Sequence, residues 1–166
     1  MTISGQIEER DFVRAAFVHI RPRRSFALLG VVLVALGLGV AIWALGDLAE
    51  DRQRGVLGLC ILLVFAYLGV YFGFWYPFRA RRVFRQYKAV GLPFTAEIGE
   101  DGIHVDSELG GGLVPWPHIR KWREGSSVFL LYPTDALYHI FPKSVFSASS
   151  ADQFRNTLIE RLGPAA

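Results

Sequence analysis

The sequence predicts an α+β integral membrane protein. A two-helix transmembrane hairpin is followed by a small antiparallel β domain that a C-terminal helix closes. Three observations predict it. Two long uncharged apolar runs fill the first half of the chain, basic residues crowd the outer flanks of those runs, and from residue 94 the apolar period falls to two.

The chain has 166 residues, about one ordinary domain, and 52% of them are hydrophobic. Most of that content lies in Ser25–Gly46, "SFALLGVVLVALGLGVAIWALG", and in Gly55–Phe78, "GVLGLCILLVFAYLGVYFGFWYPF". Each run exceeds the roughly 20 apolar residues a helix needs to cross a bilayer. The first is too long for the core of a signal peptide, and its leader carries Glu8, Glu9 and Asp11, so it reads as an anchor that stays in place. The single cysteine, Cys60, lies inside the second run. It leaves no disulfide within the chain and no cysteine-based metal site.

The chain divides accordingly. Residues 1–25 form a cytoplasmic strand and amphipathic helix, 26–46 the first span, 47–55 a short outside loop, and 56–78 the second span. Residues 79–93 form a basic juxtamembrane helix and linker, and 94–166 the cytoplasmic β domain.

Charge sets the orientation. Residues 1–25 carry five arginines against three acids, and residues 79–88 carry Arg79, Arg81, Arg82, Arg85 and Lys88 with no acid. The connection holds Asp47, Glu50 and Asp51 against Arg52 and Arg54. Basic flanks stay on the cytoplasmic side, which puts both termini inside. The stretch "GFWYPFRARRVFRQYK" mixes aromatics and bases as a nucleic-acid arm does, but residues 89–166 carry six bases against nine acids. A nucleic-acid binder shows its basic stripe on the folded domain, so nucleic acid is excluded as a partner. Trp75 and Tyr76 instead fit the interfacial aromatic belt, and Arg79, Arg81, Arg82, Arg85 and Lys88 fit an anionic leaflet.

Within 1–25, "TISGQIE" reads as a strand and "EERDFVRAAFVHIRPRR" as a helix with Phe12, Ala16 and Ile20 on one stripe. Two placements stand open for that stripe: the membrane interface, or the protein's own cytoplasmic domain. In the spans, Ala35 with Gly39, Gly37 with Ala41, and Gly69 with Gly73 have the spacing that lets helix backbones approach. They predict a tight hairpin and also admit a homo-oligomer through the spans. The Gly-Leu-Gly at 37–39 is no dinucleotide fingerprint, because the third glycine is missing. After Pro77 a helix continues to Val90 with Val83, Tyr87 and Val90 on one face, and Gly91 and Pro93 stop it.

Alternation then takes over. Phe94, Ala96 and Ile98 mark one strand, and Ile103, Val105 and Leu109 mark the next after the turn Glu100–Gly102. Gly110–Gly112 reads as a further turn. "VPWPHIRKWRE" supplies Trp116, Ile119 and Trp122, and "SVFLLY" and "ALYHIF" are two more strands. The last helix has Ser150 and Gln153 at capping-box spacing and the stripe Ala151, Phe154, Leu158 and Leu162. Strands closed by one terminal helix are the layout of a pleckstrin-homology-like domain.

A family pattern runs through this half: "GIHVDS", a turn, "VPWPHIRKWREG", "VFLLYP", then "HIFPKSVFSASSADQFRNTLIERL". It resembles the bacterial YcxB-like family. Trp116 with Ile119, the run Phe141–Phe146, and Phe154-Arg155 carry the resemblance. The resemblance implies a paired-span membrane hairpin with a cytoplasmic C-terminal domain, and it implies no activity.

Catalytic patterns are missing from the sequence. His19, His104, His118 and His139 lack metal-ligand spacing, and Glu97, Glu100, Asp101, Asp106 and Glu108 lack the order of a calcium loop. Ser107, Ser126 and Ser127 have no nucleophile elbow. No cofactor is expected. The most distinctive piece is "FPKSVF", whose Lys143 is a candidate contact for an anionic ligand or lipid head group, with plain solvated surface as the alternative. Trp116 and Trp122 are candidate groove residues, with core packing as the alternative. The expected function is a non-catalytic binding module at the cytoplasmic face of the bacterial inner membrane, touching lipids and a protein partner the sequence does not name. The alternatives are a membrane-resident immunity or stress protein, or an accessory subunit of a membrane enzyme or transporter.

Overall fold

The computed structural model describes residues 1–22, 24–46 and 51–166, with the backbone alone at Arg24, Ser25 and Lys88. Residues 47–50 of the expected outside loop 47–55 and the side chain of Lys88 lie outside the described residues. The chain forms two compact units. One joins Met1–Arg21 to Ala80–Ala166, and the other is Pro22–Arg79. Residues 1–21, 80–93 and 94–166, which fall in three segments of the sequence reading, thus belong to one body.

That body is α+β with antiparallel sheets. Strand β1 (Thr2–Gln6) and helix α1 (Glu9–Ile20) come from before the apolar segment. Strands β2 (Pro93–Ile98), β3 (Gly102–Ser107) and β4 (Gly110–Pro115) follow it, and the first sheet has the order β1-β2-β3-β4. Strands β5 (Lys121–Glu124), β6 (Val128–Tyr132) and β7 (His139–Pro142) form the second sheet in that order. All pairings are antiparallel.

Register explains the alternation. Ile3 pairs with Ala96 and Ala96 with Val105, so one face of the first sheet is apolar. The row Thr2, Glu97, His104 and Leu113 lies on the opposite, solvent face. The turn between β3 and β4 is Glu108-Leu109, not the glycine triplet, which opens β4 instead. Gly110 takes φ 121°, a conformation open to glycine and costly for other residues. Leu109, expected on the buried face, stands 72% exposed at the hairpin tip.

The main core lies between the sheets and under the C-terminal helix α5 (Ala148–Leu162). Phe94, Ile103, Trp116, Trp122, Phe129, Phe141, Phe146, Phe154 and Leu158 build it. The N-cap of α5 is Ser147, whose side chain accepts from the Ser150 N–H, so the helix begins three residues before the expected capping box.

A second, smaller core explains why β6 does not alternate. Val128, Leu130 and Tyr132, with Ile140 beside them on β7, face away from the main core and are covered by Ala15 of α1. All five residues of β6 are therefore buried. The apolar stripe of α1 packs on the protein's own sheet. Its phase also differs from the expected one: Asp11, Ala15 and Ala16 are buried, while Phe17 and Ile20 are exposed.

In the other unit, helices α2 (Arg24–Gly46) and α3 (Arg52–Val70) pack together. The Asp51 carboxylate caps α3 by accepting from the N–H groups of Gln53 and Arg54. A π-helical turn, Tyr71–Trp75, links α3 to helix α4 (Tyr76–Gln86). Pro77 has no N–H to donate, and its ring crowds the preceding turn, so a widened turn just before it relieves both defects. Two helical stretches are long and apolar enough to cross a membrane: Phe26–Gly46 and Arg52–Gln86.

The small-residue contact between α2 and α3 differs from most of the expected spacing. Ala41, Ala44, Gly55 and Gly58 are buried there. A Cβ at Gly58 would stand 2.8 Å from the Ala41 carbonyl oxygen, and one at Gly37 would stand 2.8 Å from the Phe65 ring. Ala35, Gly39, Gly69 and Gly73 are exposed, and a Cβ at any of those three glycines meets nothing within 4 Å. The correction has a geometric cause, since four-residue spacing recurs all around a glycine-rich helix and does not say which face is turned inward.

Candidate functional site

The polar groups of the β-rich unit are best understood from the elements they fasten. Helix α1 ends at Ile20, leaving carbonyls without helical partners. Arg123 on β5 reaches them, its guanidinium donating to the carbonyls of Val18 (3.2 Å), His19 (3.0 Å) and Arg21 (2.9 Å). Beside it His19 stacks on Tyr138 and Tyr132, and its Nδ1 lies 3.3 Å from the Tyr132 hydroxyl. Burial lowers the His19 pKa, and the nearby Arg123 charge lowers it further. Burial also pushes the Tyr132 hydroxyl up to about 12. The other end of α1 is tied to α4, where Glu9 accepts from Arg85 at 3.1 Å and pairs with Arg81 at 3.6 Å. Phe12 and Phe84 meet with ring centres 5.6 Å apart.

A second constellation joins β5, the end of β7 and α5. Glu124 accepts from Arg155 at two oxygens, 2.8 and 2.7 Å away, and from Lys143. Arg155 also pairs with Asp152. The two cations sit over the Phe129 ring, with the Lys143 nitrogen 4.9 Å from its centre. The Arg155 hydrogen bonds outweigh partial burial and hold the Glu124 carboxyl at about 2.

Several expected contacts are thereby corrected. Lys143 does not project freely: it is engaged by Glu124, because the turn Lys143–Val145 lays it along β5. Trp116 and Trp122 line no groove. They are 6% and 2% exposed, and their indole N–H groups donate to Gly99 at 3.2 Å and Gly163 at 2.8 Å. Trp116 thus pins the β2–β3 hairpin, and Trp122 pins the end of α5.

The expected interface residues fall into two groups. Trp75, Arg79 and Arg82 are exposed, and Tyr76 is half-buried. Arg81 and Arg85 are exposed but turn toward Glu9. The inward face of α4 is Ala80 with Phe84, whereas Val83 and Tyr87 are exposed and the helix stops at Gln86 before a 3₁₀ turn, Lys88–Gly91.

One small cavity, about 160 Å³, opens among Ile7, Val90, Phe94, Val105, His139 and Ile140. Burial keeps His139 biased to its neutral form. The outer face of the first sheet is different in kind. It presents Glu97 and Asp106 beside the hairpin acids Glu100, Asp101 and Glu108, all exposed. Among the described residues no group of three or more His, Cys, Asp or Glu stands close enough to hold a metal ion.

Sequence reasoning missed Arg123, Glu124 and Glu9. Their partners lie 19 to 105 residues away along the chain, so no local spacing signals them.

Residues 98–158 match the model of the family described as YcxB-like protein. It is the family that the sequence pattern resembles, and the match runs from the end of β2 into α5. Comparison with curated proteins and with solved structures found no match.

Proposed function

We propose that the chain is a non-catalytic binding module anchored in the bacterial inner membrane, with both termini and the β-rich unit on the cytoplasmic side. In this reading Phe26–Gly46 and the apolar part of Arg52–Gln86 span the bilayer as a hairpin. The four-stranded and three-stranded sheets with their closing helix form a pleckstrin-homology-like domain.

The observation that carries the reading is the construction of the β-rich unit from both flanks of the apolar segment. β1 and α1 precede that segment, β2 to α5 follow it, and the two flanks share a sheet and a core. A domain closed this way is held at both ends of the hairpin. Large apolar side chains on α2 and α3 stand outward, among them Leu28 at 70% and Trp43 at 62% exposure, which suits hydrocarbon better than water. Five arginines before the first span and Arg79 to Lys88 after the second favour a cytoplasmic placement. The strongest polar constellations, around Arg123 and Glu124, are engaged in fastening α1, β5 and α5, which favours binding over catalysis.

Topology and binding are tested together. In a Cys60→Ala background, a cysteine at Gln53 should react with an impermeant thiol reagent added outside, and one at Ser126 should not. The reverse pattern overturns the orientation. A photo-crosslinker in the β-rich unit should capture a specific protein in native membranes. Capture of the same protein by residues 22–79 alone would assign binding to the apolar helices and end this reading.

A further inference from the structure

We propose that β4 is a docking edge, onto which a protein partner adds an extended basic segment as a fifth strand of the first sheet. The proposal rests on the binding-module reading and names the surface that binds.

β4 ends the order β1-β2-β3-β4 and pairs with β3 alone. Among the described residues no other backbone hydrogen bond reaches Gly110–Pro115. Alternate N–H and C=O groups of an edge strand point away from its neighbour and are open to another chain. Folded proteins usually blunt such edges with lysines, bulges or prolines. β4 has no charged residue, and its one proline, Pro115, stands at the far end. Its first three residues are glycines, so no side chain shields the backbone there, and Gly110–Leu113 are all exposed. Leu109 and Leu113, 72% and 45% exposed, give an incoming strand apolar contacts beside the backbone ladder. The strand's six residues offer an edge of about 20 Å. β1, the opposite edge, instead carries side chains at four of its five positions and packs against the turn Lys143–Val145.

Charge selects the occupant. No lysine or arginine occurs between residues 89 and 119, or within β1, while Glu97, Glu100, Asp101, Asp106 and Glu108 lie on this sheet and its hairpins. The Asp106 carboxylate leans over Gly111 on β4, filling the place a Cβ would take. A second copy joined edge to edge would bring two such acidic faces together, and like charges across strands are unfavourable. An extended segment with alternate basic residues meets both the open ladder and the charge.

The experiment uses the full chain in nanodiscs and follows amide hydrogen exchange at Gly110–Leu113. The probes are two peptides, four Lys-Val repeats and four Glu-Val repeats. Exchange should slow about tenfold with the Lys-Val peptide and stay unchanged with the Glu-Val peptide. Leu113→Pro, which removes an N–H from β4, should abolish the protection. Should that variant fail to fold, Asp106→Asn with Glu108→Gln leaves the ladder intact and should weaken the Lys-Val effect alone. Equal protection by both peptides, protection by neither, or protection without peptide in a dimer of the chain would each overturn the proposal. Failure here leaves the cysteine topology result standing, and failure of that topology leaves the peptide result standing.

Discussion

Arg155 grips Glu124 with two nitrogens, one to each carboxylate oxygen, at 2.8 and 2.7 Å. The pair locks α5 onto β5 and brings Lys143 to the same carboxylate. Glu124→Ala leaves two cations without their anion and should cost about 2 kcal/mol, lowering the melting midpoint by roughly 5–10 °C. The pH course follows from the carboxyl's depressed pKa of about 2 against an ordinary 4.5. Its contribution is complete above 4.5 and is lost as pH falls from 4.5 toward 2. Melting curves at pH 7, 4.5 and 3 should show this loss in the parent chain and a flatter profile in Glu124→Gln.

Arg123 is the stop for α1, with three carbonyls on one guanidinium. Arg123→Met keeps the apolar stem and removes the donors. Exchange of amides in the last turn of α1 should quicken about tenfold, while exchange in β2 and β3 stays unchanged. Arg123→Lys should restore only part of the protection, since all three bonds leave the one nitrogen Nη1 and the shorter lysine stem holds its ammonium short of that place.

Two histidines should make the domain acid-sensitive. Burial lowers the pKa of both His19 and His139 below the ordinary 6.5. A base whose folded pKa is depressed favours the folded state above 6.5, and that advantage drains away as pH falls from 6.5 toward the folded values. Melting midpoints should therefore drop between pH 7 and pH 5. His139→Gln should shrink that drop, and a full-sized drop in the variant would show that His139 is not among its sources.

The contact between α2 and α3 is tested by one glycine against another. Gly58→Val drives a side chain into Ala41 and Ala44 and should destabilise the helix pair by about 2 kcal/mol. Gly69→Val meets nothing within 4 Å and should leave it unchanged. Denaturation of the full chain in detergent, followed by helix content, compares the two.

Much of this architecture is legible in sequence because it rests on local periodicity. Phe94, Ala96 and Ile103 declare their sheet by alternation, and Phe154 and Leu158 declare α5 by helical spacing. The N-terminal strand is readable too, although its partner, β2, stands beyond the apolar segment. What periodicity does not give is which of several equivalent faces is used. Val128–Tyr132 is apolar throughout because α1 covers its second face, and nothing near residue 130 announces that helix. The same gap left the stripe of α1 incomplete: Phe12 and Ala16 face inward as expected, but Asp11 and Ala15 join them and Ile20 is exposed. Gly110–Gly112 looked like a turn from composition alone, yet the backbone turns two residues earlier, at Glu108-Leu109. Among the site residues, Lys143 was visible as a distinctive cation. Its engagement by Glu124 depends on a fold that brings residues 19 positions apart into contact.

The split construction of the β-rich unit also sets a timetable. β1 and α1 leave the ribosome first, but β2, their nearest partner in the sheet, is not made until residues 93–98. At about 5–20 residues per second, β1 waits roughly 5–20 s, with both apolar helices synthesised in the interval. The sheet closes only on a chain whose apolar segment is already complete. A chain cut short within that segment has no β2 to hold β1 and no β6 to receive Ala15, so its N-terminal residues stay unstructured and open to proteolysis.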